Sequence, residues 1–118
     1  MKPYERLLAW QRCHELAIAV YRETGRWPKS EQCGLTAQLR RAATSVAANI
    51  AEGSAKRGHR EFRRYLDIAL GSLSEVTYLL HLARDLDYVD EPSAFALTDL
   101  ANRAGQLTWR LYQRMASA

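Results

Sequence analysis

Apolar residues recur along this chain at steps of three and four, and no segment alternates convincingly with a period of two. That spacing predicts helices throughout. The first covers about Glu5 to Thr24, with Ala9, Cys13, Leu16, Val20 and Thr24 on one stripe. Gly25 ends it, and Pro28 forbids continuation through the connection Arg26-Trp27-Pro28-Lys29. Ser30 to Gly34 forms a turn into the second helix, which carries Leu35, Leu39, Ala42, Val46 and Ile50 on its stripe. Ala43, Ala47 and Ala51 run beside that stripe, and such small side chains let helix axes approach closely, which makes this the central helix. Gly53 is its expected left-handed stop.

The third helix has the clearest pattern. Phe62, Leu66, Ala69, Leu73, Val76, Leu80 and Ala83 follow alternating steps of four and three, a heptad seam. Leu70, Leu79, Leu82 and Leu86 widen the apolar surface, so this helix has neighbours on more than one side. After Asp87-Tyr88-Val89, Asp90 with Pro92 reads as a helix start. The fourth helix shows Leu97, Leu100, Ala104, Leu107, Leu111 and Met115 at similar spacing. Four helices of roughly 20 to 28 residues with short connections predict an all-α, antiparallel up-down-up-down four-helix bundle. At 118 residues the chain makes one such domain, residues 1–118.

Composition adds little to this picture until charge is located. Hydrophobic residues are 47% and charged residues 25%, ordinary values for a globular chain. No stretch approaches about 20 consecutive apolar residues, so no membrane span is expected. The first sixteen residues carry charges throughout and show no signal-peptide core. Cys13 and Cys33 then read as reduced thiols, and a cytoplasmic location follows. The net charge is +4. Between Gly53 and Arg64 there are five basic residues, Lys56, Arg57, Arg60, Arg63 and Arg64, against Glu61 alone. The remainder holds twelve basic and twelve acidic residues, so the excess charge of the protein sits in this one stretch. It fits either an anionic partner such as nucleic acid or a solvated basic face.

Enzyme signatures are missing. The chain has no GxGxxG, P-loop or HExxH, and no histidine follows a glutamate at three residues, the pairing that bundle di-metal sites use. Cys13 and His14 are adjacent, so on a helix they point about 100° apart and cannot share a metal. No catalytic residue, metal ligand or cofactor site is predicted. The basic stretch is different. With Gly58 as N-cap and Glu61 as its capping-box partner, His59, Arg60, Arg63 and Arg64 fall in the first two turns of the third helix. Cations there oppose the helix dipole by typically 0.3–1 kcal/mol each, relieved in part by an Arg63–Asp67 pair at i,i+4. Stability alone would not choose this arrangement. Free backbone N–H groups beside several arginines make a phosphate-binding surface, so Lys56, Arg57, His59, Arg60, Arg63 and Arg64 are the candidate nucleic-acid contacts. The competing reading is a solvated face paired across a subunit boundary.

The other polar residues have structural readings. One of Arg40 and Arg41 pairs with Glu75 near the seam of the third helix. Asn49 fixes helix register through a hydrogen bond, and Gly71-Ser72 marks a close backbone approach. Trp10, Trp109 and Tyr112 are more aromatic surface than a small bundle buries easily, which suggests a subunit interface. The alternative is that they close the ends of the monomer core.

The run GLTAQLRRAATSVAANIAEGSAKRGHREFRRYLDIALGSLSEV, Gly34 to Val76, resembles the family of ribosomal-RNA intervening-sequence proteins. That family also includes the accessory protein of diversity-generating retroelements. LLAWQRCHELAIAVYRET and WPKSEQCGLT agree with it too, so the resemblance covers nearly the whole chain. It departs at Gly58, where the family usually has Ser or Thr, and at Ala47 or Ala48, where proline is common. The resemblance implies an up-down-up-down bundle that forms a ring-like homopentamer. For the retroelement members it also implies a basic surface that binds RNA or DNA and a reverse transcriptase partner. It implies no enzyme.

Overall fold

Helix spacing becomes four helices in the computed structural model, which describes residues 1–118. They are α1 (Leu8–Thr24), α2 (Leu35–Ser54), α3 (His59–Asp85) and α4 (Glu91–Ser117). Each helix contacts its two neighbours around a square and the diagonal pairs stay apart, with α2 and α3 in the most extensive contact. Successive helices run in opposite directions, as their short connections require. The molecule measures 44 × 23 × 22 Å, its long axis set by α3 and α4, whose 27 residues span about 40 Å at 1.5 Å per residue.

The apolar stripes face inward as predicted. Cys13, Leu16, Val20, Leu39, Val46, Ile50, Leu66, Val76 and Leu80 are fully buried, and Leu97, Ala104 and Leu111 complete the core from α4. Ala42 and Ala43 are buried where α2 meets its neighbours, but in a square of helices α2 has two neighbours like every other and is not the central helix expected.

Several local expectations change. Pro3–Arg6 is a separate 3-10 turn, and Leu7 is extended at φ −78°, ψ 121°, so α1 starts at Leu8 rather than Glu5. The Glu5 carboxylate accepts from the Lys2 amide at 2.8 Å, and its carbonyl accepts from the Gln11 side chain at 2.8 Å, which holds the turn against α1. Gly25 ends α1 after Thr24 as expected, in the right-handed region at φ −60°. Gly53 is no stop at all, since α2 continues through it to Ser54. A Cβ there would lie 2.6 Å from Tyr65 Cβ and 3.0 Å from Phe62 Cδ1, so glycine is what lets α3 approach. Gly71, by contrast, faces open space and marks no close approach. The left-handed helix end belongs to Asp87, at φ 62°. Tyr88 N–H donates to the Ala83 carbonyl at 2.9 Å and Asp87 N–H to Arg84 at 3.0 Å, the paired bonds that close the last turn of α3. Asn49 reaches the Ser45 carbonyl at 2.7 Å, and Ser45 in turn meets Ser72 across the α2–α3 contact at 3.1 Å.

The end of the bundle holding the α1–α2 and α3–α4 connections is densely bonded. Glu31 accepts from the Leu35 amide at 3.0 Å and from the Tyr88 hydroxyl at 2.9 Å, tying one connection to the other. Those two bonds, the amide first, hold its carboxyl below the usual range. Buried Glu23 accepts from Trp27 Nε1 at 3.1 Å and pairs with Arg26. Asp90 caps α4 by accepting from the Ser93 amide at 2.8 Å.

Candidate nucleic-acid interface

At the opposite end, Ala55–Gly58 carries the chain from α2 into α3. Gly58 adopts φ 83° with nothing within 4 Å of a would-be Cβ, so glycine is selected there by backbone conformation rather than by space. It is the N-cap of α3, as expected, yet no side chain caps that helix. The expected capping box does not form, because Glu61 turns to Arg64, with Nε 3.4 Å away. Hydrogen bonding to Glu61 raises the Arg64 pKa. Lys56, Arg57, Arg60 and Arg63 have no carboxylate within 4.0 Å, and the expected Arg63–Asp67 pair is not made. Lys56, Arg57, His59, Arg60 and Arg64 are exposed and Arg63 is half-buried. The structure thus brings all six candidate residues to one tip.

Topology adds cations that counting along the chain concealed. Antiparallel packing places the start of α1 and the end of α4 at this same end of the bundle. Lys2, Arg6, Arg110 and Arg114 join the tip there, and α4 has no acidic residue after Asp99. Dividing each helix at its middle, the tip half (residues 1–16, 45–72 and 104–118) has ten basic residues against five acidic ones. The other half has seven against eight. Tyr65 is a further feature that the charge pattern missed. Lys56 Nζ lies 5.6 Å and Arg64 Cζ 4.8 Å from its ring centroid.

The predicted Arg40/Arg41–Glu75 ion pair is not formed. Arg40 faces α1 instead: its Nε donates to Thr24 Oγ1 at 2.8 Å and its guanidinium sits 4.5 Å from the Tyr21 ring centroid. Glu75 accepts from Gln38 at 3.4 Å, and Arg41 is exposed. Helix α2 packs on both α1 and α3, and Arg40 lies on the flank toward α1.

The aromatics separate into two sites. Trp10 stacks on His14 at 4.8 Å, meets Tyr4 edge-on at 4.9 Å, and lines an apolar groove of about 640 Å³ between α1 and α2. Trp109 stacks on Tyr112 at 5.3 Å and remains 49% exposed. It lies within about 40° of Phe95 around α4 at 3.6 residues per turn. Phe95 lines the α3–α4 cleft with Tyr78 and His81. Trp10 and Trp109 are therefore on opposite faces of the bundle. Cys13, the other candidate for chemistry, is buried beside Thr108, and desolvation pushes its thiol up to about 11. No group of three or more His, Cys, Asp or Glu could hold a metal ion, and no helix is long and apolar enough to cross a membrane.

The sequence profile of the family described as "23S rRNA-intervening sequence protein" matches residues 5–110. The chain belongs to that family. The matched span takes in the α2–α3 connection with all six candidate residues and most of the core stripes, while Lys2, Arg114 and the last two turns of α4 lie beyond it. No curated protein matches the chain in sequence. Among solved structures, the chain is similar to a crystal structure from Bacteroides thetaiotaomicron described as a protein with unknown function from the S23 ribosomal protein family. Identity is 20%, 90% of this chain and 96% of that one are covered, and the TM-score is 0.82. That similarity supports the bundle fold of this intervening-sequence protein and says nothing about its chemistry.

Proposed function

We propose that the protein is a non-enzymatic, oligomeric nucleic-acid-binding protein that grips RNA or DNA through backbone phosphates at its basic tip. The observation that carries this reading is the set of unpaired cations around an uncapped helix N-terminus, reinforced by the α1 and α4 ends. RNA is favoured over DNA by the family description, which names 23S rRNA. A structural bundle would gain from pairing these arginines, as Arg26 is paired with Glu23 at the other end. Binding to labelled RNA and DNA, followed by fluorescence anisotropy across a salt titration, should be weakly sequence-dependent and steeply salt-sensitive. For duplex DNA the log–log slope is about −0.9 per phosphate neutralised. A reverse transcriptase is the protein partner that the resemblance adds to this reading; binding to neither nucleic acid would favour the runner-up, a structural scaffold whose tip meets an acidic protein surface.

The same reading includes self-association. The far half of the α1–α2 face is basic, with Arg22, Lys29, Arg40 and Arg41, while that of the α3–α4 face holds Asp85, Glu91 and Asp99. Aromatic residues lie exposed or half-exposed on both faces. Unlike faces that attract each other make a head-to-tail contact, and such contacts close into a ring when the rotation permits. The family resemblance makes that ring a pentamer. Light scattering after size exclusion should give a mass near five chains, and a clean monomer at micromolar concentration would remove the ring from this account.

A further inference from the structure

Tyr65 stands at the join between the core and the basic tip. Its backbone end packs against α2 at Gly53, where a Cβ would come within 2.6 Å of its own Cβ and 3.3 Å of its Cγ. The base of this side chain is therefore anchored by the tightest backbone approach that any glycine in the fold permits. Its ring extends toward the tip, where two cations from different segments meet it. Lys56 comes from the connection after α2 and Arg64 from the second turn of α3, at 5.6 and 4.8 Å from the centroid. Lys56 makes no ion pair, so the ring is the one charged-group contact that orders it. Lysine and arginine side chains left free in solvent lose rotamer freedom when they close on a phosphate. Resting on a fixed ring removes part of that loss before the ligand arrives.

We propose that Tyr65 is a positioning residue for the phosphate-binding surface, holding Lys56 and Arg64 together so that both engage one nucleic-acid backbone. This rests on the nucleic-acid reading above. A cation–π contact at an exposed site corresponds to roughly a two- to fivefold change in an equilibrium constant, which sets the scale of the effect. The ring and not the hydroxyl is the working part. Tyr65→Phe should therefore bind a labelled single-stranded RNA with wild-type affinity, whereas Tyr65→Leu should bind it roughly two- to fivefold more weakly.

The decisive measurement is a double-mutant cycle read in binding. Lys56→Gln should weaken binding in the wild-type background and cost less in the Tyr65→Leu background, because an unpositioned lysine contributes less. A merely structural tyrosine would shift the melting temperature and leave the Lys56→Gln loss equal in both backgrounds. That equality would overturn the proposal, as would Tyr65→Phe binding as weakly as Tyr65→Leu. Should Tyr65→Leu not fold, ring-current shifts answer the question in the wild-type protein. The Lys56 ε-methylene and Arg64 δ-methylene protons should be moved upfield, and random-coil positions for both would equally overturn it. Failure of the wild-type protein to bind RNA or DNA would instead strike the nucleic-acid reading itself.

Discussion

The two ends of this bundle use charge in opposite ways. At the end formed by the α1–α2 and α3–α4 connections, polar groups satisfy one another: Glu31 with Leu35 and Tyr88, Glu23 with Trp27 and Arg26, Asp90 with Ser93. At the tip, Lys56, Arg57, Arg60 and Arg63 find no carboxylate, and α3 begins without a side-chain cap. Helix α4 starts with acid and a cap, as its dipole prefers, while α3 starts with cations that its dipole disfavours. One chain under one set of physical rules has bonded the connections at one end to each other and left the start of α3 at the other without a side-chain cap and with four cations unpaired. The first end ties the connections to one another, and the second is the surface proposed above for an anionic ligand.

The largest expected effect sharpens this contrast where the tip joins the core. Gly53→Ala places a methyl group against Tyr65 Cβ, which belongs to a helix and cannot swing away. Overpacking of this kind typically costs about 1–3 kcal/mol. Urea denaturation should show that loss, and an unchanged midpoint would mean that α2 and α3 are not held at this spacing.

A smaller effect tests the bonded connections. The folded-state pKa of Glu31 is lowered, so its contribution is fully present above the unfolded carboxyl value of about 4.3 and is lost as pH falls through the folded value. Glu31→Gln should melt below the wild type at neutral pH and show a shallower decline of melting temperature on acidification from about pH 5. Parallel pH profiles for the two proteins would show that the Leu35 and Tyr88 bonds do not stabilise the folded state.

Much of the fold was legible because burial writes itself directly into apolar spacing. The stripes through Leu16, Leu39, Leu66 and Leu97 identify their helices, and the faces those helices bury are the ones observed. Glycine was less legible, since one residue type serves different ends. Gly53 looks like a helix stop but permits a close approach, Gly71 looks like a close approach but faces solvent, and the left-handed helix end was taken by Asp87. Partner choice on α2 was also hidden, because spacing does not say which flank Arg40 occupies. At the candidate site the tip residues were read from charge and from the helix start expected at Gly58. The four cations added by α1 and α4 needed the antiparallel topology, and the role proposed for Tyr65 needed the approach at Gly53.

The smallest expected change in stability accompanies the measurement that bears most directly on the contrast between the ends. Arg57, Arg60 and Arg63 changed together to glutamine remove three unpaired cations and disturb no ion pair. The melting temperature should hold or rise slightly, because cations at a helix N-terminus cost typically 0.3–1 kcal/mol each. Binding of the triple variant to labelled duplex DNA, measured by anisotropy across a salt titration, should weaken on every sequence. Its log–log salt slope should flatten by about 2–3, one 0.9 unit for each phosphate contact removed. Unchanged affinity and slope, together with a lowered melting temperature, would show that these arginines serve the fold and would contradict the account.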